Sequence, residues 1–300
     1  MAIKVFELFS GMGGASFALK AAGIDHTIVG HSDIDKWASK LYTQNHGDIK
    51  NWGDITRIDP NDLPDFDLLT GGFPCTSFST SGHMDGYDGA TGKLFDEIIR
   101  IAAVKQPKYM ILENVKGILS ERFASFLDHV KGELTRIGYD FDIRVYDARD
   151  YGSPQMRKRV YFVCQLGQLD YKCPVIEHSA LKIGDLFESV HNADHDTLYD
   201  DRFADIIPTK DTVVKIRKDS GTVAVIDNGQ IWTLTSGGRN CSNNMYLPFY
   251  KRRMLPIEAF RIMGVDQINI EGIPKTALFK IAGNAWEIKT VTAIMKALFD

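Results

Sequence analysis

The sequence predicts an α/β fold: a mostly parallel, doubly wound sheet of Rossmann type joined to a small, mostly β or irregular domain. Three observations carry this. Short apolar runs alternate with amphipathic stretches through the first half of the 300 residues. A glycine-rich turn, Phe9-Ser10-Gly11-Met12-Gly13-Gly14, lies where the first apolar run gives way to the first amphipathic stretch. The alternation then stops after Gly138, and the chain from Asp170 to about Tyr250 is polar and irregular.

In order, Lys4–Phe9 reads as a strand, Gly14–Ala22 as a helix, Thr27–His31 as a strand and Ile34–His46 as a helix with apolar residues at helical spacing. Asp67–Thr70 and Tyr109–Leu112 are short apolar runs with polar or turn residues at their ends, which suits buried parallel strands. Leu94–Val104 and Phe123–Ile137 supply the intervening helices. Asp140–Val145 alternates strictly and Val160–Leu166 is apolar, so both read as strands near a sheet edge, joined through Tyr151–Arg159. Further on, Gly221–Ile226 and Ile231–Thr235 flank Asn228-Gly229, which predicts a hairpin. Pro256–Gly264 and Glu287–Leu298 return to helix.

Composition narrows the class. Hydrophobic residues make up 44% and charged residues 25%, the balance of an ordinary globular protein. No run is long and apolar enough to cross a membrane, and MAIKVFELFS lacks the features of a signal peptide, so a cytoplasmic location is expected. The four cysteines form no zinc-ligand spacing; no metal is expected, and Cys164 reads as a core residue. A net charge of −4 leaves any nucleic-acid footprint to local clusters such as Arg157-Lys158-Arg159 and Lys251-Arg252-Arg253.

Several positions carry chemistry. Glycines in the Phe9–Gly14 turn let the backbone approach a ligand closely, although a tight turn alone would also use them. Asp33 ends the second strand, where a carboxylate can accept from ribose hydroxyls. Asp54 follows a third extended stretch and is placed to reach an adenine amine; a helix cap is the alternative for either aspartate. In Gly71-Gly72-Phe73-Pro74-Cys75-Thr76-Ser77-Phe78-Ser79, proline fixes the backbone just before a lone cysteine at a strand mouth. Glu113 ends the strand beginning at Tyr109, and Gln155-x-Arg157-x-Arg159 precedes an apolar strand.

Taken in this order, the glycine turn, Pro74-Cys75, Glu113-Asn114-Val115 and Gln155-x-Arg157-x-Arg159 resemble the cytosine-C5 DNA methyltransferase family over most of the chain. The resemblance implies a class I methyltransferase domain that binds S-adenosylmethionine through Phe9, Gly11, Gly13, Asp33, Ile34, Asp54, Pro74, Leu94 and Asn284. The family usually has glutamate-tryptophan where this chain has Asp33-Ile34. The resemblance makes Cys75 the nucleophile toward cytosine C6, Glu113 the partner of N3 and Arg159 a donor to O2, with Arg157 near the same site. It makes Ser77–Gly92 the loop that closes over a flipped base, with Thr91 where arginine is common. Ser79, Thr233, Leu234, Gly237 and Gly238 are its DNA contacts, the last four in a Thr-Leu element and glycine loop. Arg261 falls in the supporting helix, and Gly283-Asn284-Ala285 matches the closing motif, followed by Trp286 where a small or aliphatic residue is usual.

Domain ranges follow: 1–168 with 270–300 for catalysis and cofactor, and 169–269 for target recognition with its supporting helix. The expected enzyme is a monomer acting on double-stranded DNA, with a separately acting restriction endonuclease as a partner the resemblance allows. Two alternatives stand beside it. One keeps the chemistry and takes tRNA, against which the Thr-Leu and glycine-loop element argues. The other is a catalytically silent nucleic-acid-binding homologue, against which the intact Cys75 and Glu113 argue.

Overall fold

The computed structural model describes residues 2–73, 93–178, 181–187, 206–216, 223–236 and 245–299. They pack as two compact units. The first comprises Met1–Tyr146, Lys158–Val175 and Val291–Asp300; the second comprises Asp147–Arg157 and Ile176–Thr290. This division differs from the sequence-based ranges at both borders. Asp147–Arg157 packs with the second unit because it pairs and bonds with residues 231–236 and 283–285, as described below.

The first unit is built on β1 (Ile3–Leu8), β2 (His26–Ser32), β3 (Leu68–Gly72), β4 (Tyr109–Val115), β5 (Tyr139–Asp147) and β7 (Lys158–Leu166), in the spatial order β2-β1-β3-β4-β7-β5. β1 pairs in parallel with β2 and β3, and β3 with β4. β7 then enters antiparallel to β4. Both faces are covered. Phe6, Leu8, Leu69, Met110, Leu112, Val160, Phe162 and Cys164 join one core with Phe95 and Ile98 of α3 (Lys93–Lys105) and with Phe126, Val130 and Leu134 of α4 (Ala124–Arg136). The alternate positions Val5, Leu68, Ile111 and Val163 are equally buried on the opposite face. Cys164 is thus a core residue as expected, its thiol held far from ionisation by burial.

Local sequence sets the helix ends. α1 (Gly14–Ala22) stops at Gly23, whose left-handed backbone lets its N–H return to the Leu19 and Lys20 carbonyls. α2 (Lys36–His46) starts two residues later than periodicity suggests, because the Asp35 carboxylate accepts from the N–H groups of Trp37 and Ala38.

The second unit holds a four-stranded antiparallel sheet, β12 (Arg252–Arg253), β11 (Met245–Leu247), β8 (Val213–Ile216) and β9 (Val223–Ile226), and a separate parallel pair, β6 (Gln155–Met156) with β10 (Ile231–Trp232). The expected hairpin across Asn228-Gly229 is therefore corrected. Gly229 does take a left-handed turn, but β9 pairs with β8 while β10 leaves to pair with β6. A local turn signal cannot see those distant partners. Three helices follow: α5 (Pro256–Ile262), α6 (Lys275–Asn284) and α7 (Ile288–Phe299), the last running into the first unit. α6 was not anticipated, although Pro274 ahead of apolar Leu278, Phe279 and Ala282 marks it.

Beside α5, the Arg252 guanidinium meets Glu258 through two contacts of 2.9 and 2.6 Å, with both side chains buried. Glu258 also accepts from the Leu255 N–H at 2.7 Å, so one carboxylate closes the first turn of α5 and neutralises the arginine.

Candidate active site

At the end of β1 the backbone turns left-handed at every second residue: Phe9 (φ 50°), Gly11 (φ 55°) and Gly13 (φ 82°). Phe9 is not a glycine, and L residues pay about 1–2 kcal/mol there, so the surroundings must enforce the conformation. They do so from beneath. Ser10 Oγ bonds His31 Nδ1 at 2.8 Å, and the Ser10 N–H donates to the Ser32 carbonyl. His46 Nε2 donates to the Met12 carbonyl at 2.8 Å, which fixes that imidazole's tautomer. A Cβ on Gly13 would fall 2.2 Å from His46 Nε2, so glycine is required for space as well as for φ. Glu7 lies buried below and accepts from the Ser16 N–H near the start of α1; burial pushes its carboxyl up to about 8, against the pull of the Ser16, Tyr42 and Ala15 bonds.

Asp33 grips this turn from the end of β2. Its Oδ2 accepts from the Gly11 N–H and its Oδ1 from the Asp35 N–H, each at 2.8 Å. Ile34, next to it, is 79% exposed, an apolar side chain standing in solvent beside a carboxylate. Asp54 caps a short 3₁₀ turn by accepting from the Thr56 N–H and hydroxyl. Leu94 is half-buried on the core. Asn284 is exposed at the last position of α6, in the second unit.

The catalytic candidates of the first unit come together through strand register. Gly72 pairs with Glu113, Glu113 with Tyr161, and Val115 with Arg159. Positions 113 and 115 share a face of β4, so Glu113 and Arg159 are diagonal neighbours on the same face. Their side chains form an ion pair, Arg159 Nε to Glu113 Oε1 at 3.0 Å, with side-chain exposures of 15% and 9%. Asn114, on the other face, donates from Nδ2 to the Phe73 carbonyl at 3.3 Å. The peptide that leads into Pro74 is thereby tied to the strand that carries Glu113. Pro74, Cys75, Ser79, Gly237 and Gly238 lie outside the described residues, as does Ser77–Gly92.

Arg157 is placed differently from Arg159. It is buried, and it donates to the carbonyls of Leu234 (3.2 Å), Gly283 (3.3 Å) and Ala285 (2.7 Å), all within the second unit. Leu234 is buried too, and the Thr233 hydroxyl donates to the Met156 carbonyl. These two residues anchor the Thr-Leu element, in which Leu234 is buried and Thr233, Thr235 and Ser236 are half-buried. Sequence reasoning passed over His31, His46, Glu7 and Tyr42, none of which belongs to a motif it used. The histidine and tyrosine positions, on β2 and α2, show no more than ordinary periodicity.

The family model for C-5 cytosine-specific DNA methylases matches residues 3–300. The chain is 31% identical to the type II methyltransferase M.NgoBI of Neisseria gonorrhoeae, over 98% of this chain and 92% of that protein. It is 30% identical to the type II methyltransferase M1.ScrFI of Lactococcus lactis subsp. cremoris, over 99% of this chain and 78% of the relative. The fold is similar to that of the Dnmt2 methyltransferase of S. pombe, with a TM-score of 0.72 at 19% identity, over 99% of this chain and 98% of that one. A chain matched from residue 3 to its end, with Glu113 and Arg159 paired on adjacent strands, belongs to the C-5 cytosine-specific DNA methylase family.

Proposed function

We propose that this enzyme methylates C5 of a cytosine within a short sequence of double-stranded DNA, through a covalent bond between Cys75 and cytosine C6. The observation that carries the reading is the Glu113–Arg159 pair, set on β4 and β7 beside the β3 end that runs into Pro74-Cys75.

The residues suit S-adenosylmethionine as methyl donor. The left-handed turn brings backbone close to a ligand, Asp33 offers a carboxylate for ribose hydroxyls, and exposed Ile34 offers an apolar surface for the adenine. Phe9, Gly11, Gly13 and Asp54, with Pro74, Leu94 and Asn284, complete the proposed set. When bound, the cofactor supplies an electrophilic methyl group on a sulfonium.

A cytosine within a duplex hides C5 and C6, so the target is flipped out. The Cys75 thiolate adds to C6, and the electron pair displaced from the C5–C6 bond makes C5 nucleophilic. Glu113 shares a proton with N3 and so stabilises the charge drawn into the ring, while Arg159 donates to O2 and holds the carboxylate in place. After C5 has been methylated, a water molecule takes the C5 proton, and the electron pair returns to the C5–C6 bond as the C6–S bond breaks. Cys75 leaves as thiolate. The enzyme acts as a monomer in the cytoplasm, and any cognate restriction endonuclease acts separately. Among the described residues no helix is long and apolar enough to cross a membrane.

Bisulfite sequencing of mixed-sequence plasmid DNA, after incubation with S-adenosylmethionine, tests this against Cys75→Ala. Protection of cytosines in one short context by the wild type alone is the expected result. Methylation by Cys75→Ala would overturn the covalent route, and no protection by either protein would overturn DNA as substrate.

A further inference from the structure

We infer that Arg157 and Gln155 are specificity-positioning residues: from buried sites on and beside β6 they fix the backbone of Thr233–Ser236, so that target discrimination depends on both, while loss of Gln155 alone leaves cofactor binding unchanged. The inference rests on the reading of this segment as the start of the recognition element.

The segment is held by its main chain as well as by the Thr233 hydroxyl and the buried Ile231 and Leu234 side chains. Ile231 and Trp232 pair in parallel with Gln155 and Met156. Gln155 Oε1 accepts from the Leu234 N–H at 3.0 Å, and Gln155 Nε2 contacts Met263 Sδ at 3.3 Å. Arg157 takes the Leu234 carbonyl from the other side of the same residue. Both polar groups of the Leu234 backbone are therefore gripped from one tripeptide.

Arg157 also reaches α6. The last carbonyls of a helix have no intrahelical donor and sit at the negative end of its dipole. Arg157 supplies donors to two carbonyls there, Gly283 and Ala285. A planar guanidinium with five donors in fixed directions can serve three carbonyls on two segments; an ammonium on a single nitrogen cannot spread as far. The two segments are also in backbone contact. A Cβ on Gly283 would fall 2.3 Å from the Thr235 carbonyl carbon and 2.4 Å from the Ser236 nitrogen. Glycine at 283 and arginine at 157 thus set one position for Thr235-Ser236.

The test uses the full-length enzyme with a randomised-context DNA library read by bisulfite sequencing. Wild type, Arg157→Lys and Gln155→Leu are compared, with S-adenosylmethionine affinity measured by calorimetry and folding by thermal unfolding. Both variants are expected to raise methylation outside the preferred context, relative to that context, by about tenfold, the effect of losing one well-placed interaction. Cofactor affinity stays within about twofold in Gln155→Leu, which a general loss of structure would not allow; Arg157 also holds the carbonyls that flank Asn284, so Arg157→Lys is read on the context profile alone. If Arg157→Lys does not fold, Gln155→Leu decides, because it removes only the acceptor on the Leu234 N–H and a thioether contact. Folded variants with the wild-type context profile would overturn the inference alone. A wild type with no preferred context would overturn the proposed function, and this inference with it.

Discussion

Glu113 illustrates what a single side chain must do in this site. Its 3.0 Å pairing with Arg159 orients a carboxylate that a cytosine ring nitrogen would then share a proton with. Glu113→Gln keeps the shape and removes the acid–base function. It is expected to lower kcat by about 10²- to 10⁴-fold with S-adenosylmethionine affinity unchanged, measured by single-turnover methylation beside calorimetry. Glu7 makes a separate prediction, on stability. Its carboxyl is raised from 4.5 to about 8, chiefly by burial, so its contribution is fully present below pH 4.5 and is lost as pH rises through 8. The loss is bounded at about 5 kcal/mol by the size of that shift. Glu7→Gln should flatten the fall in unfolding free energy between pH 5.5 and 8.5, and an equally steep fall in the variant would refute this. His31 acts oppositely. Burial, aided by His46, holds its imidazole down to about 4, so stability declines as pH drops from 6.5 toward 4 in both proteins. The pairing of Glu113 with Arg159 was approachable from sequence because each sits in a local motif at a strand end. The burial of Arg157 and Leu234 was not, since it depends on partners 77 to 128 residues away.

At the scale of elements, the turn after β1 shows why one glycine differs from another. Gly13 and Gly23 flank α1, and both are left-handed, at φ 82° and 73°. A Cβ on Gly23 would meet nothing within 4 Å, whereas on Gly13 it would strike the His46 ring. Gly23→Ala should therefore cost only the conformational penalty of about 1–2 kcal/mol. Gly13→Ala adds overpacking of about 1–3 kcal/mol and displaces the imidazole that holds Met12. Chemical denaturation of both variants, with cofactor affinity alongside, checks the contrast; cofactor affinity should fall for Gly13→Ala only. Most elements of the first unit were legible because buried parallel strands and amphipathic helices write their periods into sequence. β6, two residues long, was not; β10 was read as a strand, but its pairing with β6 and that of β9 with β8 were missed, because the turn signal pointed β9 and β10 at each other.

Across the whole molecule, charge is the property that sequence alone misweighs. Two clusters, Arg157-Lys158-Arg159 and Lys251-Arg252-Arg253, read as basic patches. Folding withdraws three of the six side chains from contact with the phosphate backbone: Arg157 grips carbonyls, Arg159 pairs with Glu113 in the candidate active site, and Arg252 is buried against Glu258. Lys158 and Lys251 stay exposed. Phosphate contacts release counterions, so each one lost should reduce the slope of log Kd against log salt by about one. Lys158→Ala and Lys251→Ala are each expected to weaken DNA binding and to reduce the slope by that amount. A double replacement, Arg252→Met with Glu258→Leu, removes a charge of each sign from the interior. Substituting a buried pair by apolar groups of similar size is often close to neutral for stability, but here it also removes the acceptor of the Leu255 N–H, so thermal unfolding of the double variant accompanies the binding assay. Its salt slope should match the wild type, although sequence alone would count Arg252 with its neighbours. Salt titrations of binding by fluorescence anisotropy decide between these views. Equal slopes for wild type and both lysine variants would place the phosphate contacts elsewhere on the protein, and a reduced slope for the double variant would show that Arg252 had faced the DNA after all.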